Sequence, residues 1–172
     1  DLTPRADIPA LLERTVEKVR REASQQKIAR YSLLLANTIA GGPSVTYDDG
    51  VNFIETLDTL TDQDIEVLGY FKHRRNIRVD SLVQDGHFNW APIGQAQPGG
   101  ANLSKMSRMI VSLSKLQGRG LIAESVEAGG AYGSSGDPQH WYNQWKLKSF
   151  ELLPFGQTFI QMIEEGSTQQ GG

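Results

Sequence analysis

The chain has 172 residues, a net charge of −3, an ordinary apolar share of 38% and no cysteine. That length fits one domain or two small ones, with enough apolar side chains for a core that needs neither metal nor disulfide. The lack of Cys excludes thiol catalysis, Cys-ligated zinc and iron–sulfur clusters, and it fits the reducing cytoplasm taken here as the expected location.

No run of eighteen apolar residues occurs, and the most apolar stretch, Tyr31 to Ala40, is far too short to span a bilayer. A start at Asp1 rather than Met is what a trimmed fragment with its targeting segment removed would show. Charge is strongly segregated. Tyr31 to Phe71 holds seven acids (Asp48, Asp49, Glu55, Asp58, Asp62, Asp64, Glu66) and no Lys or Arg. Lys72 to Gly120 holds eight bases (Lys72, Arg74, Arg75, Arg78, Lys105, Arg108, Lys115, Arg119) against Asp80 and Asp85. Such asymmetry points to a surface facing a polyanion, with a plain solvated face as the other reading.

Leu2 to Asp7 reads as a frayed end, and Pro9 as a first-turn residue of a helix. Leu12, Val16, Val19 and Ala23 then recur at spacings of four, three and four, the seam of a coiled coil or packed hairpin. Ile28, Tyr31, Leu34, Leu35 and Ile39 continue it after a phase slip near Gln25-Gln26. One helix of about thirty residues is expected, and it cannot bury its stripe alone. A second copy or the following helices must cover it. Glu13, Arg14, Glu17, Lys18, Arg20 and Arg21 are expected on its other sides.

Gly41-Gly42-Pro43 breaks the helix, and a loop runs to Asp49. Phe53, Ile54, Leu57 and Leu60 mark one face of a short helix over 51–60. Thr61 opens the next with Asp64 three residues on, a capping-box spacing. Ile65, Val67, Leu68 and Phe71 point inward, and Lys72-His73-Arg74-Arg75 closes it where the helix dipole favours cations. Asn76 to Ala101 is poorly patterned: 77–83 suits a short strand or helical turn, and 85–98 reads as loop.

Asn102 to Gln117 carries Leu103, Met106, Ile110, Leu113 and Leu116 on one face, and Gly118 and Gly120 stop it. A strand over Leu121 to Val126, a Gly/Ser/Pro stretch over 127–144 and a second strand within Trp145 to Leu153 follow. Pro154 sits at the first turn of a last helix running to Glu165, and 166–172 is expected to be a disordered tail.

This helix, then "GLI", a hairpin and "LLPFGQTFI", resembles the C-terminal half of a winged helix-turn-helix domain. The stretches "ARYSLLLANTI", "GVNFIETLDTLTDQDIEVLGYF", "SLSKLQGRGLIAE" and "LLPFGQTFIQMI" together resemble the bacterial abortive-infection alpha domain family, a domain of unknown function. That resemblance spans about Arg30 to Ile163. It implies a helical region followed by a winged-helix-like unit and an association with phage defence, with no catalytic residues to carry over. The long interval over 76–101, where a second motif helix would lie, departs from the winged-helix pattern. The expected fold is α+β and mostly α: a helical region over 1–60, a winged-helix-like domain with a two-stranded wing over 61–165, and the tail.

In a DNA-reading unit the 102–117 helix would enter the major groove, offering Ser104, Lys105, Arg108, Ser112 and Lys115, with Arg119 beyond its end. The wing glycines Gly129, Gly130, Gly133 and Gly136 would approach the backbone, although Glu124, Glu127 and Asp137 would repel phosphate. Such units also serve as protein-binding modules. His73, His87 and His140 show no metal-ligand spacing. Ser112 to Lys115 matches a Ser-x-x-Lys pattern without its partner motifs.

The glycines of 129–136 lack the strand–turn–helix setting of a phosphate loop. Asp48-Asp49-Gly50 is too short for a calcium loop and reads as a helix cap. Trp141, Tyr142 and Trp145 suit either base stacking or cross-strand packing. No metal or cofactor is expected. The sequence reads as a non-catalytic regulatory or protein-interaction module, dimeric through Leu12, Val16, Val19 and Ala23. A DNA-binding regulator is the alternative and an enzyme the third reading.

Overall fold

The computed structural model describes residues 7–40, 45–74, 76–79, 81, 101–125 and 148–164, with 101–107 as backbone only. The protein is α+β and mostly α, with a small three-stranded antiparallel sheet. The chain forms two compact units, residues 1–65 with 157–172, and residues 66–156. Helices α4 and α6, below, cross the boundary. The tail over 166–172 lies outside the described residues.

The first unit begins with α1 (Ile8–Arg21) and α2 (Gln25–Ala40), where the sequence suggests one long helix. The break falls at Glu22-Ala23-Ser24, just before the phase slip, and has local causes. Glu22 takes an extended backbone, φ −89° and ψ 131°. Its carboxylate accepts the backbone N–H of both Ala23 and Ser24 at 2.9 Å. The Ser24 hydroxyl then accepts the Lys27 N–H at 3.2 Å, satisfying one free donor of the new helix start. Helix α1 turns Leu11 and Thr15 inward, leaving Leu12 and Val16 outward.

Helix α3 (Tyr47–Thr59) starts inside the stretch expected as loop up to Asp49, because Thr46 and Asp49 form a reciprocal capping box. Gly50, on its first turn, lies where α1 and α2 come close. A Cβ there would meet Leu11 Cδ2 and Thr38 Cγ2 at 3.1 Å. The core of this unit gathers Leu11, Tyr31, Leu34, Phe53, Ile54 and Leu57 with Phe159 and Ile163 of the last helix. The Phe53 and Phe159 rings lie 6.2 Å apart between centroids, and the Asn37 amide donates to the Met162 carbonyl at 2.9 Å.

The second unit runs from within α4 (Asp62–Gly69) through a 3₁₀ turn (Tyr70–Lys72) to strand β1 (Asn76–Arg78). Thr61 and Asp64 cap α4 reciprocally, as the spacing suggests. Helix α5 (Ala101–Gly118) ends in a Schellman motif: the Leu121 N–H reaches the Leu116 carbonyl at 3.0 Å and the Gly120 N–H the Gln117 carbonyl at 2.9 Å. That closure places Gly120 at φ +68°, a conformation costly for residues with a Cβ.

Strands β2 (Ile122–Ser125) and β3 (Ser149–Leu152) follow, and the sheet order is β1-β3-β2. Phe150 of the central strand opposes Ile77 on one side and Glu124 on the other. Ile77, Val79, Met109, Ile110, Leu113, Leu116, Ile122 and Phe150 form the core of this unit. The two strands expected to pair as a hairpin thus belong to a three-stranded sheet, its third strand supplied by β1. Helix α6 (Pro154–Ile163) opens with Pro in its first turn.

Candidate functional site

Helix α5 is buried along Met109, Ser112, Leu113 and Leu116, positions that recur at three- and four-residue spacing. Ser112 is therefore part of the inner face, 2% exposed, and not of the outer face where the sequence reading put it. The outer face instead carries Arg108, Val111 and Ser114, with Lys115 half-buried beside them and Arg119 exposed just past the helix end. Val111 is 59% exposed, an apolar side chain beside these bases that the sequence reading did not single out. No acidic residue occurs from Ala101 to Gly120. Lys105 and Ser104 occupy the same helix as backbone; their side chains lie outside the described residues, as do the wing glycines, Trp141, Tyr142 and Trp145.

Elsewhere in this unit Lys72, Arg74 and Arg78 are exposed, as are Glu66 and Glu151. Glu124, one of the acids weighed against phosphate approach, is bound by the Lys148 ammonium at 2.7 Å. Across 66–156 there are ten Lys and Arg against seven Asp and Glu, whereas the other unit is strongly acidic. Of the three histidines, His73 is exposed and the other two lie outside the described residues. Among the described residues no three His, Cys, Asp or Glu side chains converge where a metal would bind. No helix among them is long and apolar enough to cross a membrane.

The first unit holds a connected polar network that the sequence reading missed. Arg14 donates through Nε and a terminal nitrogen to one Glu55 oxygen at 2.9 and 2.8 Å. Lys18 bridges Glu55 at 3.3 Å and Asp58 at 2.7 Å, and the Tyr31 hydroxyl donates to Asp58 at 3.2 Å. Buried Lys27 is bound to Glu22 at 3.0 Å and to the Asp58 carbonyl at 2.9 Å. Arg30 and Ser24 both donate to Asp62 at 2.6 Å. A depression of about 360 Å³ beside it is lined by Glu13, Arg14, Glu17, Lys18, Arg21 and Glu55.

The Arg14 bond holds Glu55 below the usual carboxylate range. For Asp58, burial acts upward most strongly, but Lys18 and Tyr31 outweigh it and the net shift is downward. Burial, then Asp58, pushes the Tyr31 phenol well above its ordinary value, while the bond to Asp58 raises Lys18. Glu55 and Asp58 of α3 are thus each tied to bases of α1 or α2. The network is a brace between helices. Its partners were legible in hindsight: the bases of α1 and α2 answer the base-free acidic stretch.

Candidate dimer residues also have definite places. Leu12 and Val16 are 47% and 40% exposed, Val19 is half-buried, and Ala23 lies exposed in the connection between α1 and α2. Arg14 and Lys18, expected on solvent-facing sides, join the brace. Comparison with protein-family models, curated proteins and solved structures found no match.

Proposed function

We propose that the protein is a non-catalytic regulatory module in which residues 66–156 act as a winged-helix-like unit and present the outer face of α5 to duplex DNA. The observation that carries this reading is the outer face itself: Arg108 and Lys115 beside Val111, with Arg119 just past the end, on a helix free of acids. Guanidinium and ammonium groups so placed suit phosphates and guanine edges, and an apolar side chain among them suits a thymine methyl. The chain order of helix, short strand, helix and two strands, with sheet order β1-β3-β2, supports a winged-helix reading. A link to phage defence rests on the family resemblance alone. A homodimer through the outer strip of α1 belongs to the same reading.

The test is fluorescence anisotropy with a mixed-sequence duplex at low and near-physiological salt. Binding should fall steeply with salt, and Arg108→Ala and Arg119→Ala should each lower the slope of log K against log salt by about one. No binding at low salt would overturn the DNA reading. The exposed Val111 favours a second reading, a protein partner seated on the same face. It predicts that Val111→Asp abolishes partner capture while duplex affinity stays at background.

A further inference from the structure

Leu12, Val16 and Val19 lie within about 60° of one another around α1, at about 100° per residue. They form a strip separate from the inward Leu11 and Thr15. Glu13 and Arg20 are both exposed and make no ion pair or hydrogen bond among the described residues. They are seven residues apart, so they share one edge of that strip. The neighbouring Glu17 and Arg21 are satisfied by each other at 2.7 Å.

We propose that this strip docks onto the same strip of a second copy with the two α1 helices antiparallel. The orientation follows from the charges. A two-fold axis perpendicular to two antiparallel helices brings each edge of the strip against the same edge of its partner. Glu13 of one protomer then meets Arg20 of the other, twice, when the axis passes beside Val16. A parallel pair would set that edge against the opposite edge, leaving both charges unanswered. The occupant is thus a second copy of this chain. The inference rests on the homodimer reading and fixes its geometry, independently of DNA.

With no native Cys, single substitutions report the geometry directly. Mild oxidation of Val16→Cys should yield a cross-linked dimer. Leu12→Cys should not, because the two copies of residue 12 would stand about 13 Å apart along the helices, beyond disulfide reach. Equal cross-linking at both positions would overturn the antiparallel arrangement while leaving a dimer. A monomer at every concentration in sedimentation equilibrium of the unmodified chain would overturn the homodimer itself.

A charge swap gives the second measurement on surface positions that leave the fold intact. Glu13→Arg and Arg20→Glu should each raise the dissociation constant by roughly three- to tenfold, and the double swap should restore it. Dimerisation indifferent to both single changes, or not rescued by the pair, would overturn the contact.

Discussion

At Gly156 a hydrogen is all the space allows. A Cβ on that residue would lie 2.1 Å from the Leu121 carbonyl oxygen and 2.9 Å from its carbon. Leu121 cannot give way cheaply, because the same carbonyl accepts the Leu153 N–H at 3.0 Å. Gly156→Ala should therefore cost about 2–3 kcal/mol in urea unfolding. Gly69→Ala should gain about 0.5–1 kcal/mol, since Gly69 is helical and nothing lies within 4 Å of its would-be Cβ.

Polar residues divide in the same way by their surroundings. Buried Lys27 keeps its charge company with a carboxylate and a carbonyl, as burial of an ammonium demands. Ser149, 2% exposed on the central strand, has a hydroxyl with no hydrogen-bond partner among the described residues. Its burial works against stability.

Helix starts are where local chemistry decides most. Removing one side of the reciprocal cap, Thr61→Ala, should destabilise the protein by about 1 kcal/mol, read as a lower urea midpoint at unchanged slope. That cap was legible from the Thr61–Asp64 spacing alone, as were the Gly120 stop, Pro154 at the start of α6, the core face of α3 and, over Ile110, Leu113 and Leu116, that of α5. These signals are local, so sequence carries them. The α1–α2 break was half visible as a phase slip. Its position depends on Glu22 and Ser24 side chains turning back on the backbone, which hydrophobic periodicity does not register. The strip of Leu12, Val16 and Val19 was legible from its spacing, but the inward face of α1 was not, because the same spacing from Leu11 falls on Thr15 and Lys18, polar residues that a hydrophobic pattern does not register. Ser112 failed for the same reason: a hydroxyl counts as polar in a pattern, yet its place between Met109 and Leu113 buries it. β1 was visible only as a choice between strand and turn, since its pairing with β3 joins residues some seventy positions apart.

For the whole molecule, the charge network sets how stability responds to pH. Glu22, Asp49, Glu55 and Asp58 all titrate below their ordinary range when folded. The unfolded chain therefore takes up protons first as pH falls, and the stability these groups contribute at neutrality should be lost from about pH 5 downward. Lys18 and Tyr31 are shifted upward, so their contribution holds below the ordinary Lys and Tyr values and is lost above about pH 10. Urea midpoints across the pH range should form a plateau with both shoulders. A midpoint that stayed level through the acid range would mean the brace contributes nothing.

The division of the chain has a further effect. The first unit closes on Phe159 and Ile163, so its core is completed by side chains that follow the whole of 66–156. On a ribosome, where domains fold as units while the chain emerges, Phe53 must wait uncovered until the last helix is made. The inserted unit's own stretch of chain is made before those side chains are. The later unit to be completed is thus the one that was begun earlier, and the interval between them is when this protein is most in need of a chaperone.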